Sequence, residues 1–186
     1  CIDPAAVVGA RYRIREARAA EAAGDGDVSY AFTVLRPTPL RLIYDMPATQ
    51  LTQVYERYGN GRIKLLEYFH AEKIGVEHEP ADPLPGRDWP AMFELIDADT
   101  VAALAPGEEG TFRCLSVEKR AGRDAGADVY VEYLTQLRLP LLLRRTRGDT
   151  VKSWRLERVI TDESAPRRVL ATLNTYRLYD FADLGD

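Results

Sequence analysis

The sequence predicts a mainly β fold, a curled antiparallel sheet or unclosed β-barrel of about ten strands, with two short helices as a lid or plug. Apolar and polar residues alternate with a period of two along most of the chain, as they do in half-buried strands. Clusters of Gly, Asn, Asp and Pro separate these runs. Helical patterns do not alternate with the strands, so a parallel βαβ sheet is not expected.

The first half of the chain predicts a meander followed by a hairpin. In 11–15, Tyr12 and Ile14 face one way while three arginines face the other. The same alternation recurs in 27–35 and 39–45, which makes three successive strands. The Gly-Asn-Gly turn at 59–61 joins the arms 51–58 and 62–69, because these residues tolerate a positive φ. A short strand at 74–79 follows.

Helical periodicity is confined to the middle of the chain. Asp88-Trp89-Pro90 is typical of an N-cap followed by a first turn that accepts proline. Apolar residues then recur at spacings of three and four as far as Ile96. A second short helix is predicted over 99–104, ending before Pro106.

The second half returns to strands. We expect strands at 111–119, 128–134, 152–160 and 168–181, with a flexible connection at 121–127. Between them lies Gln136-Leu-Arg-Leu-Pro-Leu-Leu-Leu-Arg-Arg145, five leucines around a proline. Because proline cannot donate to a strand ladder, Pro140 predicts the start of a strand.

Composition limits the class of protein. At 186 residues and 46% hydrophobic, the chain is predicted to be a single domain over 1–186, with 1–8 as an N-terminal anchor or linker and 180–186 as an acidic tail. A formal charge of −4 argues against a nucleic-acid partner. No apolar run approaches the roughly 18 residues of a membrane-spanning helix.

The two cysteines allow more than one interpretation. Cys1 is preceded by no initiator methionine, and bacterial lipoproteins resemble this because their signal peptide is cut before a cysteine that is then acylated. Cys1 is therefore the predicted site of lipid attachment and of membrane anchoring. The alternatives are an incidental chain boundary and a disulfide with Cys114.

Sequence signals for catalysis are weak, and we expect a protein that is not an enzyme, with no catalytic residues, no cofactor and no metal. The chain has no Gly-rich phosphate loop, nucleophile elbow or cysteine pair at metal spacing. Its only histidines, His70 and His78, end successive strands, so a hairpin would carry them apart. Two imidazoles do not supply the ligands that zinc needs.

The apolar strand faces instead predict a cavity that binds a lipid or acyl chain. A half-barrel cannot fill its concave side from one sheet alone, so helices or an apolar ligand must do so. The alternative is an interaction protein whose own helices fill that space and which docks onto envelope proteins. The predicted cavity residues are Tyr30, Phe32, Leu42, Tyr44, Tyr55, Leu65, Trp89, Met92 and Phe93.

The segment 129–159, "VYVEYLTQLRLPLLLRRTRGDTVKSWRLERV", is similar to the C-terminal half of the LolA/LolB lipoprotein-localisation family. Leu139-Pro140 stands at the family's Leu-Pro position, and 141–145 at the strand after it. The resemblance implies an unclosed β-barrel with a helical lid and lipid or lipoprotein trafficking. With Cys1 followed by Ile2 rather than aspartate, it also implies an anchor on the periplasmic face of the outer membrane.

Overall fold

The computed structural model describes residues 1–18, 27–81 and 88–184. The helices are α1 (Trp89–Glu94), α2 (Ala98–Ala103) and α3 (Ala165–Leu173), with 3-10 helices at Pro4–Ala6, Pro47–Thr49 and Phe181–Leu184. The strands are β1 (Gly9–Arg18), β2 (Val28–Thr38), β3 (Arg41–Met46), β4 (Leu51–Arg57), β5 (Ile63–Phe69), β6 (Ile74–Ala81), β7 (Ala105–Phe112), β8 (Leu115–Asp124), β9 (Ala127–Leu134), β10 (Leu139–Arg147), β11 (Thr150–Ile160) and β12 (Arg177–Asp180).

The strands form one sheet in the order β12-β6-β5-β4-β3-β2-β1-β11-β10-β9-β8-β7. The pairings from β2 to β6 and from β7 to β11 are antiparallel, whereas β12 joins β6 in parallel. Within the described residues, β12 and β7 are the two end strands of this sheet. The predicted class, mainly β with an unclosed antiparallel sheet and few short helices, is confirmed. None of the helices in the described ranges has the length and apolarity to cross a bilayer.

Contacts divide the chain into two compact units. The first unit contains Cys1–Ala5, Tyr12–Ala31 and Pro90–Arg158, and the second contains Ala6–Arg11, Phe32–Trp89 and Val159–Asp186. The assignment of 1–186 to a single domain stays a prediction.

In the first unit, α2 packs on the sheet. Its N-cap is Asp97, whose Oδ1 accepts a hydrogen bond from the Thr100 backbone N at 2.8 Å. Burial opposes ionisation of this carboxyl, but the hydrogen bonds from Thr100 and from the backbone of Asp97 and Asp99 together lower the pKa of Asp97. The core beneath the helix consists of Ile96, Val101, Leu104, Val129, Val131, Tyr133 and Leu143, with Trp154 against it.

The leucine-rich run forms β10, and the predicted strand start at Pro140 is confirmed. Pro140 is the second residue of the strand and lies opposite Tyr133, beside a register shift that ends at Leu142. The buried Tyr12 hydroxyl donates to the Pro140 carbonyl at 2.8 Å. Proline therefore enters an interior strand where the ladder is already irregular.

The prediction of one strand at 111–119 is wrong, because a hairpin divides it into β7 and β8. Its turn residues, Arg113 and Cys114, have φ values of 46° and 69°. Such left-handed turns usually carry Gly or Asn, so the sequence gives little sign of this one. The predicted flexible connection at 121–127 is largely strand as well, since β8 runs to Asp124 and β9 begins at Ala127.

The prediction of a strand over 168–181 is also wrong for most of its length. Residues 165–173 form α3, and only Arg177–Asp180 is a strand. The apolar residues Val169, Leu170 and Leu173 fit a helical spacing as well as an alternating one, and Pro166 suits a first helical turn. The helix packs on Leu35, Ile43, Val54 and Leu66 of the second unit, with Leu173 buried among them.

Candidate functional site

The second unit contains a cavity of about 390 Å³ between β5, β6 and the 3-10 helix Phe181–Leu184. We call it the apolar cavity, because five of its eight lining side chains are hydrocarbon. The lining residues are Glu67, Phe69, Glu72, Ile74, Val76, His78, Phe181 and Leu184.

Strand alternation produces the floor of the apolar cavity. Ile74, Val76 and His78 are alternate residues of β6 and therefore share one face of the sheet. Across the antiparallel pair, Phe69 lies opposite Ile74, and Glu67 lies opposite Val76. The floor is thus a two-strand patch, apolar near the β5–β6 turn and polar further along.

The C-terminal segment forms the wall of the apolar cavity. β12 runs parallel to β6, and a Cβ placed at Gly75 would lie 3.0 Å from Leu178 Cδ1 and 2.9 Å from Tyr68 Cε1, so glycine permits this close approach. The chain then turns so that the Phe181 ring stacks on His78, with centroids 4.8 Å apart. Phe181 nevertheless remains 59% exposed and Leu184 51%, so the wall is open to solvent.

A chain of hydrogen bonds connects the polar groups of the floor. His78 Nε2 lies 2.8 Å from Glu67 Oε1, and Gln53 Nε2 donates to Glu67 Oε2 at 3.0 Å. The Tyr55 hydroxyl donates in turn to Gln53 Oε1 at 3.0 Å. Both oxygens of Glu67 are therefore engaged, and its charge is held in place rather than directed at a ligand.

Most of the lining is hydrocarbon, which suits contact with an apolar ligand. Among the described residues, the lining contains no serine, threonine or cysteine that could act as a nucleophile. In the described parts of the chain, no group of three or more His, Cys, Asp and Glu side chains is placed to hold a metal ion. The other histidine, His70, lies 2.8 Å from Thr52 Oγ1 and 2.7 Å from the Tyr176 hydroxyl, so the two histidines have separate partners.

Four of the predicted ligand residues form a continuous aromatic and aliphatic face with Tyr55 at its centre. Tyr55 lies opposite Leu42 on one side and Leu65 on the other, and Leu65 in turn lies opposite His78. Tyr44 packs edge to face on Tyr55 with centroids 5.5 Å apart. Leu42 and Tyr55 are 0% and 1% exposed, so protein side chains fill this part of the face. The row leads to the apolar cavity at His78.

Phe32 and Trp89 of the second unit are also buried. Phe32 packs edge to face on Tyr44, with centroids 5.0 Å apart. The Trp89 indole N–H donates to the Pro39 carbonyl at 3.1 Å. Neither residue lines the apolar cavity, and their role in ligand binding stays a prediction.

The remaining predicted ligand residues, Tyr30, Met92 and Phe93, belong to the first unit, so the structure does not bring the nine together in one unit. The Tyr30 hydroxyl donates to Glu16 Oε1 at 3.0 Å, and Lys152 Nζ lies 2.7 Å from the same oxygen. Hydrogen bonds from Lys152 and Tyr30 lower the pKa of Glu16. Met92 is buried and Phe93 half-buried.

Cys1 and Cys114 form a disulfide in the first unit, one of the alternatives that the sequence allowed. A thioether to a lipid would need the Cys1 sulfur that this bond uses, so the disulfide and acylation of that sulfur exclude each other. Lipid attachment at Cys1 stays a prediction.

Sequence reasoning missed the wall of the apolar cavity. The sequence predicts an acidic tail over 180–186; within this segment Phe181–Leu184 forms a 3-10 helix against His78, and 185–186 lie outside the described residues. Phe181 and Leu184 are three residues apart, as on one side of a 3-10 helix. Asp180, Asp183 and Asp186 surround them, so this segment also has the composition of an acidic tail.

No family model and no curated protein matches the chain. Among solved structures, one of PNGF-II has a TM-score of 0.44 at 10% identity, covering 94% of this chain and 33% of that one. A second PNGF-II structure has a TM-score of 0.37 at 10% identity, covering 92% and 31%. This chain thus spans about a third of PNGF-II. A LolA superfamily protein from Nitrosomonas europaea has a TM-score of 0.36 at 11% identity, covering 82% and 84%, a weak likeness of fold.

Proposed function

We propose that this is a non-enzymatic protein of the bacterial envelope that binds the acyl chain of a lipid in the apolar cavity. The observation that supports the proposal is the cavity itself. Its 390 Å³ falls in the range of about 300–1,000 Å³ typical of small-molecule sites. Each methylene group that leaves water contributes about 0.8 kcal/mol, so a chain of several methylenes lying along Phe69, Ile74 and Val76 would be bound measurably.

The charges around the apolar cavity favour an acyl-chain ligand without an anionic head group. Glu67 and Glu72 in the lining are acidic, and none of the lining residues that the structure describes is a lysine or arginine. His78 is engaged by Glu67 and covered by Phe181. A carboxylate head group would find no cation in this lining, so an esterified or otherwise neutral acyl chain is the expected ligand.

The test is calorimetric titration with dodecanol and with dodecanoate, both below the concentration at which they aggregate. We expect dodecanol to bind more tightly than dodecanoate. The double variant Phe181→Ser, Leu184→Ser should weaken dodecanol binding at least about tenfold, because loss of two apolar contacts of about 1 kcal/mol each lowers affinity by roughly that factor or more.

The matched control is Val28→Ser, Leu40→Ser, which removes two aliphatic side chains that are 56% and 54% exposed and lie outside the apolar cavity. It should bind dodecanol as the parent protein does. Equal loss in both double variants, or no binding of dodecanol by the parent protein, would contradict the proposal.

We place the protein in the periplasm as part of the same proposal, as a LolA/LolB-like half-barrel in lipid or lipoprotein trafficking at the outer membrane. The Cys1–Cys114 disulfide supports an oxidising compartment, because such bonds form outside the reducing cytosol. The intact mass of protein purified from the envelope distinguishes Cys1 in a disulfide with Cys114 from Cys1 acylated by a lipid. A mass lower by two hydrogens indicates the disulfide, and a diacylglycerol increment indicates the lipid anchor.

The alternative is an interaction subunit of an envelope complex. Leu42 and Tyr55 are packed by protein, so the centre of the predicted ligand face is self-filled. The end strand β12 and the following turn expose Leu178, Phe181 and Leu184. If dodecanol does not bind, and Phe181→Ser, Leu184→Ser changes the elution of the native envelope complex on gel filtration, this alternative is favoured.

A further inference from the structure

A second cavity, of about 330 Å³, lies in the first unit along β1, β10 and β11. We call it the arginine groove. Leu143 and Trp154 are opposite each other and belong to the core under α2. The adjacent pairs Leu142 with Arg155 and Arg144 with Ser153 therefore point to the other face of the sheet. The residues that matter for binding are Arg15, Arg18, Arg144, Arg155, Leu142 and Val151.

The arginine groove is basic in a chain whose formal charge is −4. Asp27 pairs with Arg15, and the Arg144 guanidinium lies over the Tyr130 ring, 5.3 Å from its centre. Within the described residues, the side chains of Arg18 and Arg155 make no hydrogen bond or ion pair. Four arginines line the groove and no carboxylate is among the described lining residues, so positive charge predominates in the lining of this one concave site.

Register brings two of these arginines close together. Arg155 is opposite Leu142 and Arg144 is opposite Ser153, so Arg144 and Arg155 are diagonal neighbours on one face, about 7–8 Å apart at Cα. Arg15 comes from the next strand, β1. Like charges at this distance repel, and an oxyanion between the guanidinium groups would relieve that repulsion while accepting several hydrogen bonds.

The groove also has an apolar side. Leu142 and Val151 are half-buried and line it beside the guanidinium groups. A free inorganic anion would gain nothing from these hydrocarbon side chains. An amphiphile whose phosphate meets the arginines would place its glycerol and first methylenes on them.

We propose that the arginine groove binds the phosphate group of an anionic phospholipid at a membrane surface. The groove lies in the first unit and the apolar cavity in the second, so this inference does not depend on acyl-chain binding.

The experiment is co-sedimentation of the full chain with vesicles of phosphatidylcholine alone and of phosphatidylcholine mixed with phosphatidylglycerol. The parent protein should sediment only with the mixed vesicles, and less so as salt is raised. Each basic residue near an anionic surface contributes about a fivefold factor, so Arg18→Gln, Arg155→Gln should lower the partition coefficient about 30-fold. The double variant Arg18→Lys, Arg155→Lys should retain part of the binding.

The matched control is Arg158→Gln, Arg167→Gln, which removes the same charge from two exposed arginines outside the groove. Equal loss in this control would overturn the proposal, because it would show a non-specific charge effect. Binding of inorganic phosphate in calorimetry without vesicle binding would also overturn it, since the site would then hold free oxyanions. Retention of vesicle binding by Phe181→Ser, Leu184→Ser distinguishes this site from the apolar cavity.

Discussion

Leu173→Ala tests the helix that replaces the predicted C-terminal strand. Leu173 is 2% exposed and packs among Leu35, Ile43 and Val54. The substitution removes three carbons, which costs about 2.4 kcal/mol in transfer free energy, and the cavity that remains adds to this. We expect a loss of about 3–4 kcal/mol in the free energy of unfolding, and a fall of about 10 °C in the melting temperature.

Urea denaturation followed by circular dichroism and tyrosine fluorescence measures this loss, and the two probes together check that the transition is cooperative. Arg167→Ala, an exposed change in the same helix, is the control and should stay within about 0.5 kcal/mol of the parent protein. A loss in the free energy of unfolding below about 1 kcal/mol for Leu173→Ala would refute the packing of α3. That small loss is what we expect if Leu173 instead faced solvent from a strand.

Two further predictions concern chain segments held by local bonds. Hydrogen bonds from Ser164 and from Arg168 lower the pKa of Asp162 from 3.8 to about 2. The ionised Asp162 carboxylate therefore stabilises the start of α3 fully above about pH 4, and this stabilisation is lost as the pH falls through about 2. NMR titration of the Asp162 carboxyl should show a midpoint near pH 2, and a midpoint near 4 would contradict its hydrogen bonds to Ser164 and Arg168. Asp162→Asn should abolish the loss of helix at the start of α3 that acid causes in the parent protein. Cys114→Ser opens the loop between Cys1 and Cys114, which are 113 residues apart, and should lower the free energy of unfolding in urea by about 2–5 kcal/mol. The parent protein under a reducing agent should lose the same amount. If neither the substitution nor the reducing agent has an effect, the disulfide is contradicted.

Strand positions in the first half of the chain were predictable because their pattern is local. Tyr12 and Ile14 alternate with arginines, and the Gly-Asn-Gly turn marks the β4–β5 hairpin in the residues themselves. The β7–β8 turn was not predictable, since Arg113 and Cys114 adopt left-handed angles without glycine. There the strand pairing on both sides imposes a backbone conformation that the residue types do not favour.

The helix α3 shows a different limit. Its apolar residues fit both a period of two and a period of 3.6, so the sequence supports a strand and a helix alike. The apolar surface formed by Ile43, Val54 and Leu66 decides between them, because a helix can cover three adjacent strands at once.

Alternation within each strand predicts which of its residues share a face. The pairing register then places Leu42, Tyr55 and Leu65 side by side across three strands. That this row is packed, and that the apolar cavity opens beyond it at His78 beneath Phe181, follows from the three-dimensional arrangement of the chain. Alternation is a property of neighbouring residues along one strand and carries no information about this arrangement. A cavity is the space between segments that folding brings together, here ones about a hundred residues apart in the chain.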